Sequence, residues 1–274
     1  MKNEKMKRIL AIAGVVLLLL VFCIPMVVAL SGNFDTGTFM ASLAAVIFIP
    51  IMLFVILQTY RLLKKRRTEN PNDRIENIIF DVGKVLLDYD WDGYMQQFGF
   101  EKEKEERITE AIFRDHLWDE RDRGLYDEET YVKQMVQNAP DLEKEIREVM
   151  LHSNDALGKM DYAETWVKYL KNQGYHLYVL SNFSAFALEE WRPKLTFLKY
   201  MDGIVFSCEV KELKPEDGIY QKLLQMYQLD PAKSVFLDDR KDNCEAANRN
   251  GIATIQFENF KQAVKELEER FGVK

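Results

Sequence analysis

The chain has 274 residues, of which 47% are hydrophobic and 30% are charged, and its formal net charge is −7. This length predicts one or two domains, and the negative charge argues against general nucleic-acid binding, which requires a basic surface. The three cysteines, Cys23, Cys208 and Cys244, form no C-x-x-C pair, so we expect neither a disulfide framework nor a zinc site.

The N-terminal part contains two apolar runs, residues 9–30 and 39–60, and neither has a charged side chain. About 20 apolar residues suffice to span a bilayer as a helix. Basic residues flank the pair on its outer sides, so the positive-inside rule puts both chain ends in the cytoplasm. We therefore expect residues 1–67 to form a transmembrane hairpin that contacts lipid and anchors a multi-pass cell-membrane protein. A cleaved signal peptide is the alternative, but the first run exceeds the usual ~7–15 residues and a second run follows.

Residues 68–75 are polar and predict a linker, after which short β-rich segments alternate with amphipathic ones. The predicted strands are residues 77–82, 175–182, 203–207, 234–239 and 252–257. The predicted helices between and after them are residues 163–174, 216–228, 241–251 and 259–271. This alternation indicates an α/β fold, a Rossmann-like parallel sheet with helices on both faces.

Residues 92–160 interrupt the alternation with a helical composition rich in Glu, Lys, Arg and Met. Roughly 70 residues is too long for a simple crossover. We therefore expect a helical cap, inserted over the mouth of the first strand, which divides the core into residues 76–91 and 161–274.

Polar side chains follow four of the predicted strands, where open α/β sheets bind their ligands. They are Asp81, Ser181, Asn182, Lys214, Asp238 and Asp239. Each alone is more often a turn or cap residue, but four such signals at successive strand ends are hard to explain in that way. A carboxylate can attack phosphorus, paired acids suit Mg²⁺, and a lysine with a hydroxyl can hold phosphoryl oxygens.

Residues 76–257 resemble the haloacid dehalogenase superfamily, and specifically its phosphatases with a helical cap. Four segments carry the resemblance: "FDVGKVLLDYD", "VLSN", "LKPEDGIY" and "FLDDRKDNCEAANRNGI". The first segment is most similar to the branch that contains the bacterial glucose-1-phosphate phosphatases. The resemblance implies that Asp81 is the nucleophile and a metal ligand, that Asp239 binds Mg²⁺ with support from Asp238, and that the phosphate is bound by Ser181, Asn182 and Lys214.

Gly83 departs from the family pattern, in which an Asp at this position protonates the leaving group and its backbone carbonyl binds the metal. Gly83 keeps the carbonyl and lacks the acid. Three hypotheses follow: the substrate has a good leaving group, such as a sugar anomeric phosphate; another residue supplies the proton, with Asp88, Asp90 and His116 as candidates; or the domain is a degraded enzyme. Dehalogenases of the superfamily also lack this acid, but they do not need the paired acids Asp238 and Asp239.

The sequence therefore predicts a membrane-anchored, cytoplasm-facing, Mg²⁺-dependent phosphatase that hydrolyses a small phosphorylated metabolite through an aspartyl phosphate. The alternative is a catalytically degraded module that binds a phosphorylated ligand or an unspecified protein partner at the membrane. Within the cap, the polar segment "RDRG" at residues 121–124 is a candidate for contacting the substrate, whereas His116 and Trp118 are more simply explained by packing.

Overall fold

A computed structural model of the chain describes residues 74–273, together with Met52, Val55 and Gln58. The two predicted membrane spans, apart from those three residues, lie outside the described part, and so does most of the predicted linker. Within the described part, no helix combines the length and the apolar character needed to cross a bilayer. The chain divides into two units, residues 1–69 and residues 70–274.

The core is a parallel sheet of five strands, as the alternating pattern predicts. In chain order the strands are β1 (Asn77–Phe80), β2 (Leu87–Tyr89), β3 (Leu157–Lys159), β4 (His176–Ser181), β5 (Gly203–Phe206), β6 (Ser234–Asp238) and β7 (Ala253–Gln256). The large sheet has the order β5-β4-β1-β6-β7, and all its neighbours pair in parallel. Every residue of the central strand β1 is buried, which is typical of a strand covered on both faces.

The described helices cover both faces of the sheet and fill the segment between β2 and β3. They are α1 (Trp91–Gln96), α2 (Lys102–Ile112), α3 (His116–Arg123), α4 (Glu128–Asn138), α5 (Glu143–Leu151), α6 (Ala163–Asn172), α7 (Ala185–Trp191), α8 (Ser207–Val210), α9 (Asp217–Tyr227), α10 (Lys241–Arg249) and α11 (Phe260–Phe271). Short 3₁₀ turns occupy Pro140–Leu142, Ser153–Ala156, Arg192–Lys194, Thr196–Tyr200 and Pro231–Lys233. The predicted core elements agree with these bounds to within two residues at each end, the usual uncertainty of element ends.

Alternate residues of β1 belong to two different apolar clusters, because successive strand side chains point to opposite faces. Ile78 and Phe80 pack with residues of α6 and α11. Ile79 packs with residues of α9 and α10. The two helical layers therefore bury the sheet from both sides and leave its carboxyl edge as the place where polar side chains can gather.

A helical block, residues 91–156, lies between β2 and β3 and is called the cap below. Its helices α1–α5 enclose an apolar cluster of their own, which includes Ile112, Met135 and Ile146. The antiparallel pair β2–β3 closes the base of the cap. This pair is not evident from the sequence, because strands of three residues are too short to show an alternating pattern.

Substitution Ile112→Ala tests whether the cap has a cooperative core. Ile112 is fully buried, so the change should lower the free energy of unfolding by about 2–5 kcal/mol. The matched control is Leu151→Ala, which removes a side chain that is 67% exposed on α5 and should change the value by less than about 0.5 kcal/mol. Urea unfolding of the purified variants measures both. Equal midpoints for the two variants would contradict a cooperative cap core.

Candidate active site

Asp81 lies directly after β1, at the carboxyl edge of the sheet. Its backbone N–H donates to the Leu237 carbonyl at 2.9 Å, which continues the contact between β1 and β6 by one residue. Its carboxylate accepts from the Val82 N–H at 2.7 Å, and the residue is only 7% exposed. The carboxylate is therefore held in a fixed position with one side toward the edge of the sheet.

Lys214 places a buried ammonium group between two carboxylates. Its Nζ lies 2.9 Å from Asp81 Oδ1 and 2.6 Å from Asp238 Oδ2. The Lys214 backbone is held in turn by Asn182, whose amide donates to the Lys214 carbonyl at 3.0 Å and whose Oδ1 accepts from the Lys214 N–H at 2.9 Å. The Asn182 side chain therefore positions the segment that carries Lys214. Asn182 also lines the cavity in front of Asp81, and its phosphate-binding role stays a prediction.

Three carboxylates converge at this edge. Asp81, Asp238 and Asp239 each offer an oxygen within 4.8 Å of the others. Asp238 is completely buried, and besides Lys214 it accepts from the Arg240 N–H at 2.8 Å and from the Asn243 amide at 3.0 Å. Asp239 is partly exposed. The structure therefore brings together the three side chains that the sequence analysis assigned to a metal.

The negative charge of this cluster favours the binding of a cation. Burial, together with the neighbouring Asp238 carboxylate, raises the pKa of Asp81 to about 7, although the Lys214 ammonium lowers it. Burial, and after it the negative charge of Asp238, also raise the pKa of Asp239. Burial lowers the pKa of Lys214, but the two carboxylates beside it outweigh this and raise it. One buried ammonium thus lies among three carboxylates, while the exposed Lys84 ammonium also lowers the pKa of Asp239. The hard oxygen donors of these carboxylates fit Mg²⁺.

Ser181 and Gly83 complete the predicted set. Ser181 ends β4, is 1% exposed, and its hydroxyl donates to the Asn182 carbonyl at 3.3 Å. This hydroxyl also lies near enough to Asp81 to lower the pKa of that carboxyl. Gly83 forms a backbone bridge with Leu87 and lines the cavity in front of Asp81.

A cavity of about 390 Å³ opens in front of these groups, between the sheet edge and the cap. The sheet side contributes mostly polar residues: Asp81, Gly83, Lys84, Asn182, Lys214, Asp239, Arg240 and Asn243. The opposite wall contributes four aromatic residues and two acids: Tyr89, Trp91, Phe113, Trp118, Asp119 and Asp122. Ring contacts of Phe113 with Trp91 (5.1 Å between centroids) and with Trp118 (4.7 Å) make this wall a packed surface.

The three candidates that the sequence analysis named for the missing acid do not line this cavity. Asp90 caps α1 by accepting from the Gly93 N–H at 2.9 Å. Asp88 is exposed on β2, and the His116 side chain is 79% exposed beside Asp115. These residues are therefore wrong as proton donors. The acids that do reach the cavity, Asp119 and Asp122, share one face of α3 with Trp118, a spacing that could have indicated them.

Known proteins resemble this chain over most of its described part. The sequence model of the haloacid dehalogenase-like hydrolases matches residues 78–257. A D-ribitol-5-phosphate phosphatase from Bacteroides thetaiotaomicron is 27% identical over 211 residues, which cover 68% of this chain and 93% of the relative. A crystal structure of a HAD family enzyme from that organism, in complex with magnesium and inorganic phosphate, is 25% identical with a TM-score of 0.52 and covers 66% of this chain and 93% of its own.

Another curated relative matches only a short stretch. Mouse acyl-CoA dehydrogenase family member 10 is 40% identical over 74 residues, and the chain spans 27% of its own length but only 7% of that protein. The family assignment therefore depends on the longer matches. Because the family model covers well over half of the sequence, the chain belongs to the haloacid dehalogenase-like hydrolase family.

Proposed function

We propose that the protein is a Mg²⁺-dependent phosphatase that hydrolyses a small phosphorylated metabolite. One observation carries the proposal: the buried Lys214 ammonium lies between Asp81 and Asp238, and Asp239 lies within 4.8 Å of both acids. This arrangement combines a fixed carboxylate nucleophile, a cation for a phosphoryl oxygen and acids for a metal at the mouth of one cavity.

The chemistry follows from the positions of these groups. Asp81 attacks phosphorus in line with the leaving group and becomes an aspartyl phosphate, which water then hydrolyses. The Lys214 ammonium and the Ser181 hydroxyl hold phosphoryl oxygens as charge shifts among them. Asp81, Asp239 and the Gly83 carbonyl would hold Mg²⁺, with Asp238 supporting them. When bound, Mg²⁺ neutralises the surplus carboxylate charge and stabilises negative charge on the phosphoryl group.

A sugar phosphate or sugar-alcohol phosphate is the substrate class that we propose. The cavity of about 390 Å³ falls in the range of small-molecule sites, and the cap above it leaves little room for a protein substrate. Its aromatic wall, which includes Trp91 and Trp118, offers apolar faces to the carbon skeleton of a sugar. The relative that acts on D-ribitol 5-phosphate supports the same class.

Two other functions are less well supported. A dehalogenase needs no metal, yet three carboxylates converge here around one buried ammonium. The surplus of buried negative charge lowers the stability of the folded protein, and a bound metal would remove this cost. A degraded binding module would explain Gly83, but the nucleophile, the lysine, the hydroxyl and the paired acids are all in place.

Substitution Asp81→Asn tests the nucleophile. Phosphate release from D-ribitol 5-phosphate, hexose phosphates and p-nitrophenyl phosphate should fall by about 10³-fold or more, because an amide cannot form the aspartyl phosphate. Asp155→Asn is the control, since this acid is 66% exposed and does not line the cavity; its rate should equal that of the wild type. Unchanged turnover in Asp81→Asn would contradict the mechanism. A folded wild-type protein without turnover on any of these substrates would favour the binding module.

Thermal unfolding tests the metal site without relying on activity. Mg²⁺ at about 100 times its dissociation constant should stabilise the folded protein by about 2.7 kcal/mol, which raises the melting temperature by about 5 °C or more. Asp239→Asn removes one of the three converging carboxylates and should abolish most of this shift. Asp155→Asn should retain the full shift. The proposal would be contradicted by an equal shift in the wild type and in Asp239→Asn.

We also propose that residues 1–67 form a transmembrane hairpin that anchors this phosphatase to the cell membrane, with its catalytic part in the cytoplasm. The support comes from the two charge-free runs and their basic flanks. The full chain should sediment with membranes and resist alkaline carbonate, and externally added protease should not reach residues 74–273 in intact cells. A chain that begins at residue 68 should remain in the supernatant. Release of the full chain from the membranes by alkaline carbonate would contradict the anchoring proposal.

A further inference from the structure

Gly83 leaves open space where the family usually has an acid. A Cβ atom built at Gly83 would meet no other heavy atom within 4 Å, and its backbone is not in the left-handed region. The residue lines both the main cavity and a smaller adjoining pocket of about 110 Å³. An acid at this position would therefore fit, and its absence leaves the leaving group without a proton donor from this segment.

Asp122 is the carboxylate best placed to take over this role. Four carboxylates among the described residues line the main cavity, and two of them, Asp81 and Asp239, belong to the nucleophile and metal cluster. Asp119 is 60% exposed and lies 3.9 Å from the Arg240 guanidinium. Asp122 is half-buried, lines the main cavity and the smaller pocket beside Gly83, and forms no hydrogen bond or ion pair through its carboxylate with any described residue.

The end of α3 is fixed against the core, so Asp122 has a defined position. Its backbone carbonyl accepts a hydrogen bond at 2.6 Å from the hydroxyl of Ser207, the residue directly after β5. The neighbouring Arg123 forms a bidentate ion pair with Glu216 on the core side, at 2.6 and 2.9 Å. Arg121 is paired with Glu128 at 2.8 Å, so its guanidinium forms its ion pair with that residue and not with Asp122. A rigid support of this kind is what a catalytic group requires.

The surroundings of Asp122 keep its carboxyl protonated in part near neutral pH. Burial raises its pKa to about 7, although the Arg121 guanidinium lowers it. Charged and titratable groups surround this carboxyl, both on α3 and on the neighbouring elements. They are Asp119 and Arg121 on α3, and Asp81, Tyr89, Glu128 and Cys208 outside it. A carboxyl that titrates near the working pH can both donate and accept a proton.

We propose that Asp122 is the general acid–base of the reaction and replaces the acid that Gly83 lacks; this inference rests on the proposed phosphatase function. As Asp81 bonds to phosphorus, the bond from phosphorus to the leaving oxygen breaks, and that oxygen takes the Asp122 proton to give a neutral alcohol. In the second step a water oxygen bonds to phosphorus and its proton returns to Asp122. The bond between phosphorus and Asp81 then breaks, which releases inorganic phosphate and restores both carboxyl groups.

Substitution Asp122→Asn tests this role with two leaving groups. On D-ribitol 5-phosphate, whose alkoxide needs a proton, kcat should fall by about 10²–10⁴-fold with KM changed by less than about threefold. On p-nitrophenyl phosphate, whose leaving group needs none, the first turnover should stay fast. Release of phosphate should then be slow, so a burst of about one nitrophenol per active site should appear as the aspartyl phosphate accumulates.

The pH profile gives a second readout. The acid form of Asp122 is lost as the pH rises through about 7, so wild-type kcat on D-ribitol 5-phosphate should fall above that pH. This limb should be missing in Asp122→Asn. The matched control is Asp119→Asn, one turn earlier on α3, which should change the rates on both substrates by the same factor.

Adding the family's acid back is the decisive variant. Gly83→Asp in the Asp122→Asn background should restore the rate on D-ribitol 5-phosphate at least tenfold, because position 83 has room for the side chain. The Mg²⁺-dependent shift in melting temperature reports that each variant is folded, and Asp122→Ser replaces Asp122→Asn if the latter does not fold.

Three results would overturn the role of Asp122 without contradicting the proposed phosphatase function. They are equal losses on both substrates without a burst, a change confined to KM, and no rescue by Gly83→Asp. A wild-type protein without turnover would instead contradict the proposed function itself.

Discussion

The buried ion pairs of Lys214 connect the parts of the molecule that matter for its chemistry. The ammonium joins Asp81, after β1, to Asp238, at the end of the neighbouring strand β6. Asn182, after β4, holds the Lys214 backbone from the other side. Because unpaired buried charges are strongly destabilising, this lysine fixes the carboxyl ends of three adjacent strands relative to one another.

The same interaction leaves the site incomplete without a metal. Lys214 can neutralise only one of the three carboxylates that converge there, and burial raises the pKa of Asp81 in the metal-free protein. The fold therefore tolerates a surplus of negative charge at one edge of its sheet. Such locally unfavourable electrostatics are typical of functional sites rather than of structural ones, and they give Mg²⁺ binding a clear physical reason.

The sequence predicts the sheet well because parallel strands buried on both faces appear as short apolar runs, and it predicts the acids because they follow those runs directly. It does not predict the strand order or the pair β2–β3. For the proton donor it fails differently: Asp90 and His116 look as suitable as Asp122, since helix caps and catalytic acids use the same residue types. Asp122 is distinguished only in the structure, where it lines the cavity and its backbone carbonyl accepts from the Ser207 hydroxyl.

The formation of an aspartyl phosphate on Asp81 is the central claim, and it can be observed directly. The protein would be mixed with Mg²⁺ and p-nitrophenyl phosphate, quenched in acid during turnover, reduced with borohydride and digested for peptide mass spectrometry. Borohydride converts an aspartyl phosphate to homoserine, so the account predicts homoserine at position 81 and at no other aspartate. Turnover without this product at position 81, or with it at a different residue, would contradict the account.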